Sequence, residues 1–185
     1  MNPVLKNLRA GKATDEDYEF VEGLIRSGAC EDLHRYLGAY IEFAPNLMAE
    51  ELIQLALETN DQYFVSEVVN NLAYRYYSSD AYKNLVWHGL FWPFQDPGHD
   101  VLSATLSRLP RYFPASAEIK AVLLGHLASD DPIIRDVVAE VAQEYLGVPS
   151  NEVCRTMGEG DLLDQLDPSV RRWLESSSEE TPRRA

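Results

Sequence analysis

Four aspartates recur at nearly equal intervals along the chain, each where a helix is expected to begin. Asp61, Asp96, Asp131 and Asp167 are separated by 35, 35 and 36 residues, and three of them precede a proline. Aspartate accepts hydrogen bonds from the free amides of a first helical turn, and proline fits the next position because an N–H there would have no helical partner. A period of this length is typical of a helical solenoid, in which a pair of helices forms each repeat.

Apolar spacing favours helices along the whole chain. Apolar residues recur every three or four positions, and no segment alternates as a strand would. Start and stop signals divide the sequence into about ten helices with short connections. The starts lie at Thr14, Cys30, Asn46, Asp61, Ser79, Asp96, Ser116, Asp131, Ser150 and Asp167. The sequence therefore predicts an all-α protein.

Two of the aspartate turns resemble the turn inside a HEAT repeat. Asp131-Pro132-Ile133-Ile134-Arg135 and Asp167-Pro168-Ser169-Val170-Arg171 place Asp-Pro before an aliphatic residue and an arginine. The segment 117–147 is most similar to a full HEAT repeat, and the resemblance covers residues 46–176. It implies a right-handed α-solenoid of about four to five HEAT-like helix pairs, whose second helices line a concave surface. An irregular helical bundle with recurrent aspartate caps is the alternative.

Charge divides the chain into three segments. Residues 1–13 carry three basic side chains and no acid, and we expect a basic N-terminal arm there. Residues 14–175 hold 28 acids against 11 bases and are predicted to form a single HEAT-like helical domain. Residues 176–185 carry two acids and two bases in a Ser-rich context, which predicts a disordered C-terminal tail.

The net charge of −14 argues against polyanionic ligands. Nucleic acids and anionic membranes attract excess lysine and arginine, yet residues 36–74 contain six acids and neither basic residue. We therefore predict no nucleic acid and no membrane as partner. A basic protein is favoured instead, because opposite charge steers association.

Several absences favour a cytoplasmic location. No apolar run approaches the ~20 residues of a membrane span, and the first residues lack the apolar core of a signal peptide. Cys30 and Cys154 are interpreted as buried thiols in a reducing compartment.

The sequence contains no recognisable catalytic motif. The four histidines are not spaced as a metal-binding pair, and there is no phosphate-binding glycine loop or nucleophile elbow. The carboxylate doublets Glu31-Asp32, Glu50-Glu51 and Asp130-Asp131 are interpreted as helix-start or solvent-facing acids. We expect no enzymatic activity, no cofactor and no metal.

Eight of the 19 aromatic residues lie within 21 positions. They are Tyr74, Tyr76, Tyr77, Tyr82, Trp87, Phe91, Trp92 and Phe94. Most are expected in the core, but neighbours on a helix point about 100° apart, so adjacent pairs such as Phe91-Trp92 rarely both bury fully. Exposed tyrosine and tryptophan are frequent binding hot spots. We therefore predict that Tyr74, Trp87 and Trp92 contact a partner.

A polar face recurs on two of the predicted second helices. Ser66, Asn70 and Tyr74 lie off the apolar stripe of one helix, and Asp136, Glu140 and Glu144 occupy the same positions 70 residues later. If the HEAT resemblance holds, the six residues form an acidic lane on the concave surface. The predicted partner-binding residues are therefore Asn70, Tyr74, Trp87, Trp92, Asp136, Glu140 and Glu144. An ordinary solvated helix face is the alternative.

These features together favour a non-enzymatic acidic protein-binding module. HEAT-like proteins are mostly binding scaffolds, and some small bacterial ones resemble toxin binders. We predict an immunity protein, an inhibitor that binds and neutralises a basic toxin or nuclease. The alternatives are a HEAT-like adaptor or scaffold in a multiprotein assembly and, as an enzyme, a bilin-lyase-like protein.

Overall fold

The computed structural model describes residues 2–75, 79–94, 96, 98–127, 129–147 and 168–176. These residues form eleven helices and no strand, so the all-α prediction is confirmed. None of the described helices is both long and apolar enough to cross a bilayer. Contacts divide the chain into two compact units, Met1–Thr105 and Leu106–Ala185. The single domain predicted over 14–175 stays a prediction, because residues 148–167 lie outside the described part.

The first unit contains the helices α1 to α7. Their bounds are α1 Pro3–Arg9, α2 Asp15–Ser27, α3 Cys30–Phe43, α4 Ala49–Glu58, α5 Gln62–Arg75, α6 Asp80–Gly89 and α7 Asp100–Leu106, of which the last residue belongs to the second unit. The helix α2 contacts α3 and α4, while α4 contacts α5 and α6. The most extensive packing is that of α3 against α5.

The predicted basic N-terminal arm contains a helix that packs on the unit. Leu8 of α1 is fully buried, and α1 contacts α2 and α3. The Asn7 amide donates to the Asp17 carboxylate at 3.0 Å and so ties α1 to the first turn of α2. Thr14 and Asp17 also form the predicted capping box, in which each side chain accepts from the other residue's backbone N–H.

In the first unit the helix starts predicted at Thr14, Cys30, Asp61 and Ser79 are confirmed, and those predicted at Asn46 and Asp96 are wrong. Asp61 accepts from the Phe64 amide at the start of α5, and Ser79 accepts from the Tyr82 amide at the start of α6. The helix α4 begins at Ala49, after Met48, without any side-chain cap. The helix α7 begins at Asp100, although the two oxygens of Asp96 accept from the amides of Asp100 and Leu102.

The helices α3 and α5 run parallel to each other. The first turns of both helices line one groove. In the middle of the helices, a Cβ added at Gly38 would lie 3.5 Å from the Asn71 Oδ1. At the other end, the Arg75 guanidinium of α5 reaches the last residues of α3. Arg75 donates to the carbonyls of Ile41 at 2.7 Å and Ala44 at 3.1 Å. A cation here satisfies carbonyls that have no helical partner and complements the negative end of the helix dipole.

The second unit contains four described helices. They are α8 Leu109–Tyr112, α9 Ala117–Leu127, α10 Pro132–Leu146 and α11 Pro168–Glu175. The helix α10 contacts the other three, and its Tyr145 ring lies 5.5 Å from the Trp173 ring of α11. Lys120 is buried in α9 and donates to the Ser176 hydroxyl at 2.9 Å. Three parts of the prediction lie outside the described residues. They are the helix that starts at Ser150, the cap Asp167, and residues 177–185 of the tail.

Replacing Asp131 with alanine tests the recurrent aspartate cap. Asp131 accepts from the Ile133 amide at 2.7 Å, so we expect Asp131→Ala to lower the free energy of unfolding by about 0.5–2 kcal/mol. Its exposed neighbour Asp130 makes no such cap, and Asp130→Ala should change the value by less than about 0.5 kcal/mol. Val141→Asp should cost more than about 3 kcal/mol, because Val141 is buried. Urea denaturation measures all three, and equal midpoints for the two aspartate variants would contradict the cap.

The Asp17 carboxylate makes the stability of the first unit depend on pH. The Thr14 backbone N–H, and next the Asn7 amide, lower the pKa of Asp17 below its ordinary 3.8. A group with a lowered pKa contributes stability above its unfolded pKa and loses it as the pH falls toward the folded one. We expect the difference in urea midpoint between wild type and Asp17→Asn to be large near about pH 7 and to shrink below about pH 3.8. A difference in urea midpoint that does not change with pH would contradict the lowered pKa of Asp17.

Candidate functional site

The exposed side of α6 and the turn after it carry a cluster of aromatic rings. We call Trp87, His88, Phe91, Trp92 and Phe94 the aromatic surface. The opposite side of α6 is buried through Tyr82, Leu85 and Val86. At Gly89 a side chain would overlap the Thr105 methyl group of α7, so glycine allows close packing on that side. Because α6 buries one side against its neighbours, the rings on the other side are left toward solvent.

The rings of the aromatic surface contact one another edge to face. Ring centroids lie 5.7 Å apart for Trp87 and Phe91, 6.0 Å for His88 and Trp92, and 5.2 Å for Trp92 and Phe94. Phe91 is 58% exposed and Phe94 46% exposed, whereas Trp87 and Trp92 are half-buried. Edge-to-face contact is a favoured geometry for aromatic pairs and stabilises each pair by about 0.5–1.5 kcal/mol. The cluster is therefore an aromatic surface in an otherwise strongly charged protein.

The indole Nε1 of Trp92 is buried, and it donates to no acceptor among the residues that the structure describes.

A polar groove lies where α3 and α5 begin. It has a volume of about 830 Å³ and is lined by residues 28–32, 34–35 and 59–63. Three carboxylates line it, from Glu31, Asp32 and Asp61, together with the single guanidinium of Arg35. The lining also includes Tyr63, which is 61% exposed, and Gln62, whose buried Oε1 accepts no hydrogen bond from a described residue. The groove therefore presents mainly acceptors and one open aromatic ring.

The groove does not offer a reactive thiol. Burial is the main cause that raises the pKa of Cys30 above 9.0, and the negative charge of Asp61 acts in the same direction. The thiol is therefore protonated near neutral pH, and the thiolate is the nucleophilic form. Among the described residues, no three His, Cys, Asp or Glu side chains are arranged to hold a metal ion.

The structure places two of the predicted binding residues in the aromatic surface. The Trp87 ring contacts that of Phe91, and the Trp92 ring contacts those of His88 and Phe94. Asn70 is half-buried in α5, and only the backbone of Tyr74 is described. Ser66 is buried and donates to the Tyr63 carbonyl. Of the α5 positions predicted to form part of the acidic lane, Ser66 is thus covered and Asn70 is partly open.

The other three predicted residues lie along one face of α10 in the second unit. Glu140 and Glu144 are exposed, and Asp136 is half-buried. Their spacing of four residues aligns them on the helix surface. They form an open acidic row on α10.

Sequence reasoning missed the polar groove. Its lining comes from two segments about 30 residues apart, close to one helix-pair period. That period was the available signal, since it predicts that corresponding turns of successive pairs lie side by side.

Comparison with known proteins gives no match to a protein-family model, to a curated protein or to a solved structure. The functional argument therefore rests on the chain's own residues.

Truncating an exposed ring should leave the fold stable. Phe91→Ala should change the free energy of unfolding by less than about 0.5 kcal/mol, because the ring is mostly exposed. Leu85→Ala on the same helix should cost about 2–5 kcal/mol, because Leu85 is fully buried. Thermal melting of both variants checks this. A Phe91→Ala loss as large as that of Leu85→Ala would assign Phe91 to the core.

Proposed function

We propose that this chain is an inhibitor of the immunity type, which binds a basic toxin or nuclease and blocks it. The observation that carries the proposal is the aromatic surface, in which Phe91 and Phe94 stay about half exposed. Exposed rings held in place at the surface of a small protein are typical of a binding site.

The charge of the chain supports a basic partner. Residues 14–74 contain thirteen acidic and only two basic side chains, and many of the acids are exposed on α2, α3 and α4. Opposite charge raises the association rate and disfavours partners of like charge. The rings would set the dissociation rate, because apolar burial and close packing stabilise the bound complex.

A right-handed HEAT-like solenoid is the architecture that we propose for this binder. In the first unit α2 contacts α4, α4 contacts α6, and α3 contacts α5, as expected when helix pairs stack on one another. The parallel course of α3 and α5 supports the same arrangement. A stack of this kind offers an extended surface to a protein partner.

The acidic row on α10 is proposed as a steering surface. Glu140 and Glu144 are exposed and lie off the apolar stripe of α10, so they can act on a partner without contributing to the core. We place the protein in the cytoplasm, where a free buried thiol such as Cys30 stays reduced.

Growth protection and binding kinetics test the proposal, and both use the same toxic protein. If a gene beside this one encodes a basic toxic protein, co-expression of the present chain should restore growth. Surface binding to that protein should show an association rate that falls as salt rises, because exposed charges are screened beyond about 8–10 Å at physiological ionic strength. Glu140→Lys with Glu144→Lys should slow association further. Trp92→Ala should instead speed dissociation by an amount equal to about 2 kcal/mol or more.

The charge reversal therefore tests the association rate, and the Trp92 variant tests the dissociation rate. An association rate that is insensitive to salt and to the charge reversal would show that the acidity serves only solubility. Growth arrest that persists despite binding would contradict the inhibitor role and leave a binding module.

A further inference from the structure

A separate cavity lies between the C-terminal halves of α3 and α5. It has a volume of about 370 Å³, which is within the range of cavities that hold small molecules. Its described lining consists of Gly38, Ile41, Glu42, Asn71 and Arg75. Gly38 has no side chain to occupy the space toward α5, where an added Cβ would lie 3.5 Å from the Asn71 Oδ1. We call this space the α3–α5 cavity.

The Arg75 guanidinium is held in the cavity wall through one of its three nitrogens. Its Nη1 donates to the carbonyls of Ile41 at 2.7 Å, Glu42 at 3.4 Å and Ala44 at 3.1 Å. Its Nε and Nη2 donate to no described residue. These two nitrogens lie side by side on the planar group and form a fork that matches the two oxygens of a carboxylate. The cavity therefore contains a cation that is already positioned to bind a carboxylate.

The cavity also presents groups that accept hydrogen bonds. The Glu42 carboxylate lines it, and no ion pair joins this carboxylate to Arg75 among the described residues. The Asn71 Nδ2 donates to the carbonyl and the carboxylate of Glu67 at 2.8 Å each, so the Oδ1 is the amide atom that is turned toward Gly38. A carboxylate and an amide oxygen both accept from an ammonium group.

We propose that the α3–α5 cavity binds a free α-amino acid with an aliphatic side chain. Such a ligand carries a carboxylate for the Arg75 fork and an ammonium group for Glu42 and the Asn71 Oδ1. Its two charges lie close together, as the cavity requires, because the Glu42 backbone contacts the same guanidinium. Ile41 contributes apolar lining for the side chain. Binding here does not depend on the proposed inhibitor role, because the cavity and the aromatic surface share no residue.

Leucine and two fragments of it test the cavity in the intact chain. 4-Methylpentanoate lacks the ammonium group of leucine, and 3-methylbutylamine lacks its carboxylate. In a nitrogen-15 NMR titration, leucine should shift the amides around Gly38 and Asn71 with a dissociation constant of about 1 mM or less. Each fragment should bind at least about ten-fold more weakly, because it leaves one charge of the cavity without a partner.

Two helical glycines of the first unit provide a matched pair of variants. Gly38→Ala adds a methyl group at the cavity, and its Cβ would meet no atom closer than 3.5 Å. Gly23→Ala adds a methyl group on α2, where the Cβ would meet nothing within 4 Å. Both variants should raise the urea midpoint, because alanine favours a helix more than glycine does. Only Gly38→Ala should weaken leucine binding, by about three-fold or more, because its methyl group takes up space in the cavity.

Replacing Glu42 with glutamine tests the contact to the ammonium group. Glu42→Gln should weaken leucine binding about five-fold or more without weakening the binding of 4-methylpentanoate, which has no ammonium group. Glu31 is exposed on the same helix and does not line the cavity. Glu31→Gln removes the same charge and should weaken leucine binding less than about two-fold.

Three results would overturn the amino-acid site. The first is an absence of amide shifts at about 10 mM leucine. The second is a fragment that binds as tightly as leucine, because the cavity would then recognise only one of the two charges. The third is equal leucine binding by the Gly38→Ala and Gly23→Ala variants, because the ligand would then lie outside the cavity.

Discussion

The parallel packing of α3 on α5 is the interaction on which the first unit depends. Both helices contribute fully buried residues to the core, such as Leu37 and Phe64, and Arg75 fixes their ends by donating to carbonyls at the end of α3. A guanidinium that bridges two helices resists sliding as well as separation, because its donors reach carbonyls in a defined geometry. The positions of the groove and of α6 follow from this alignment.

The alignment explains why acidic side chains of α3 and α5 gather at one end of the unit. Parallel helices bring their first turns together, and acids favour first turns because they complement the helix dipole. Glu31, Asp32 and Asp61 therefore converge on one groove as a result of packing.

In the function that we propose, the charge and the aromatic surface act at different stages of binding. A net charge of −14 acts over several ångströms and therefore governs the association rate. Rings such as Phe91 act only in direct contact and therefore govern the dissociation rate. Stability should depend little on these exposed rings, because Tyr82, Leu85 and Val86 bury the opposite side of α6.

The sequence alone determined the elements whose signals are local. The capping box at Thr14 and the caps at Asp61 and Asp131 were predictable, because a cap acts within one helical turn. It also predicted exposed rings near Trp92. Tertiary structure decided what depends on neighbours distant in sequence. It buried Ser66, which the pattern placed on the polar face of α5, because α5 contacts three other helices. It also formed the polar groove, since no local rule brings residues 28–35 beside residues 59–63.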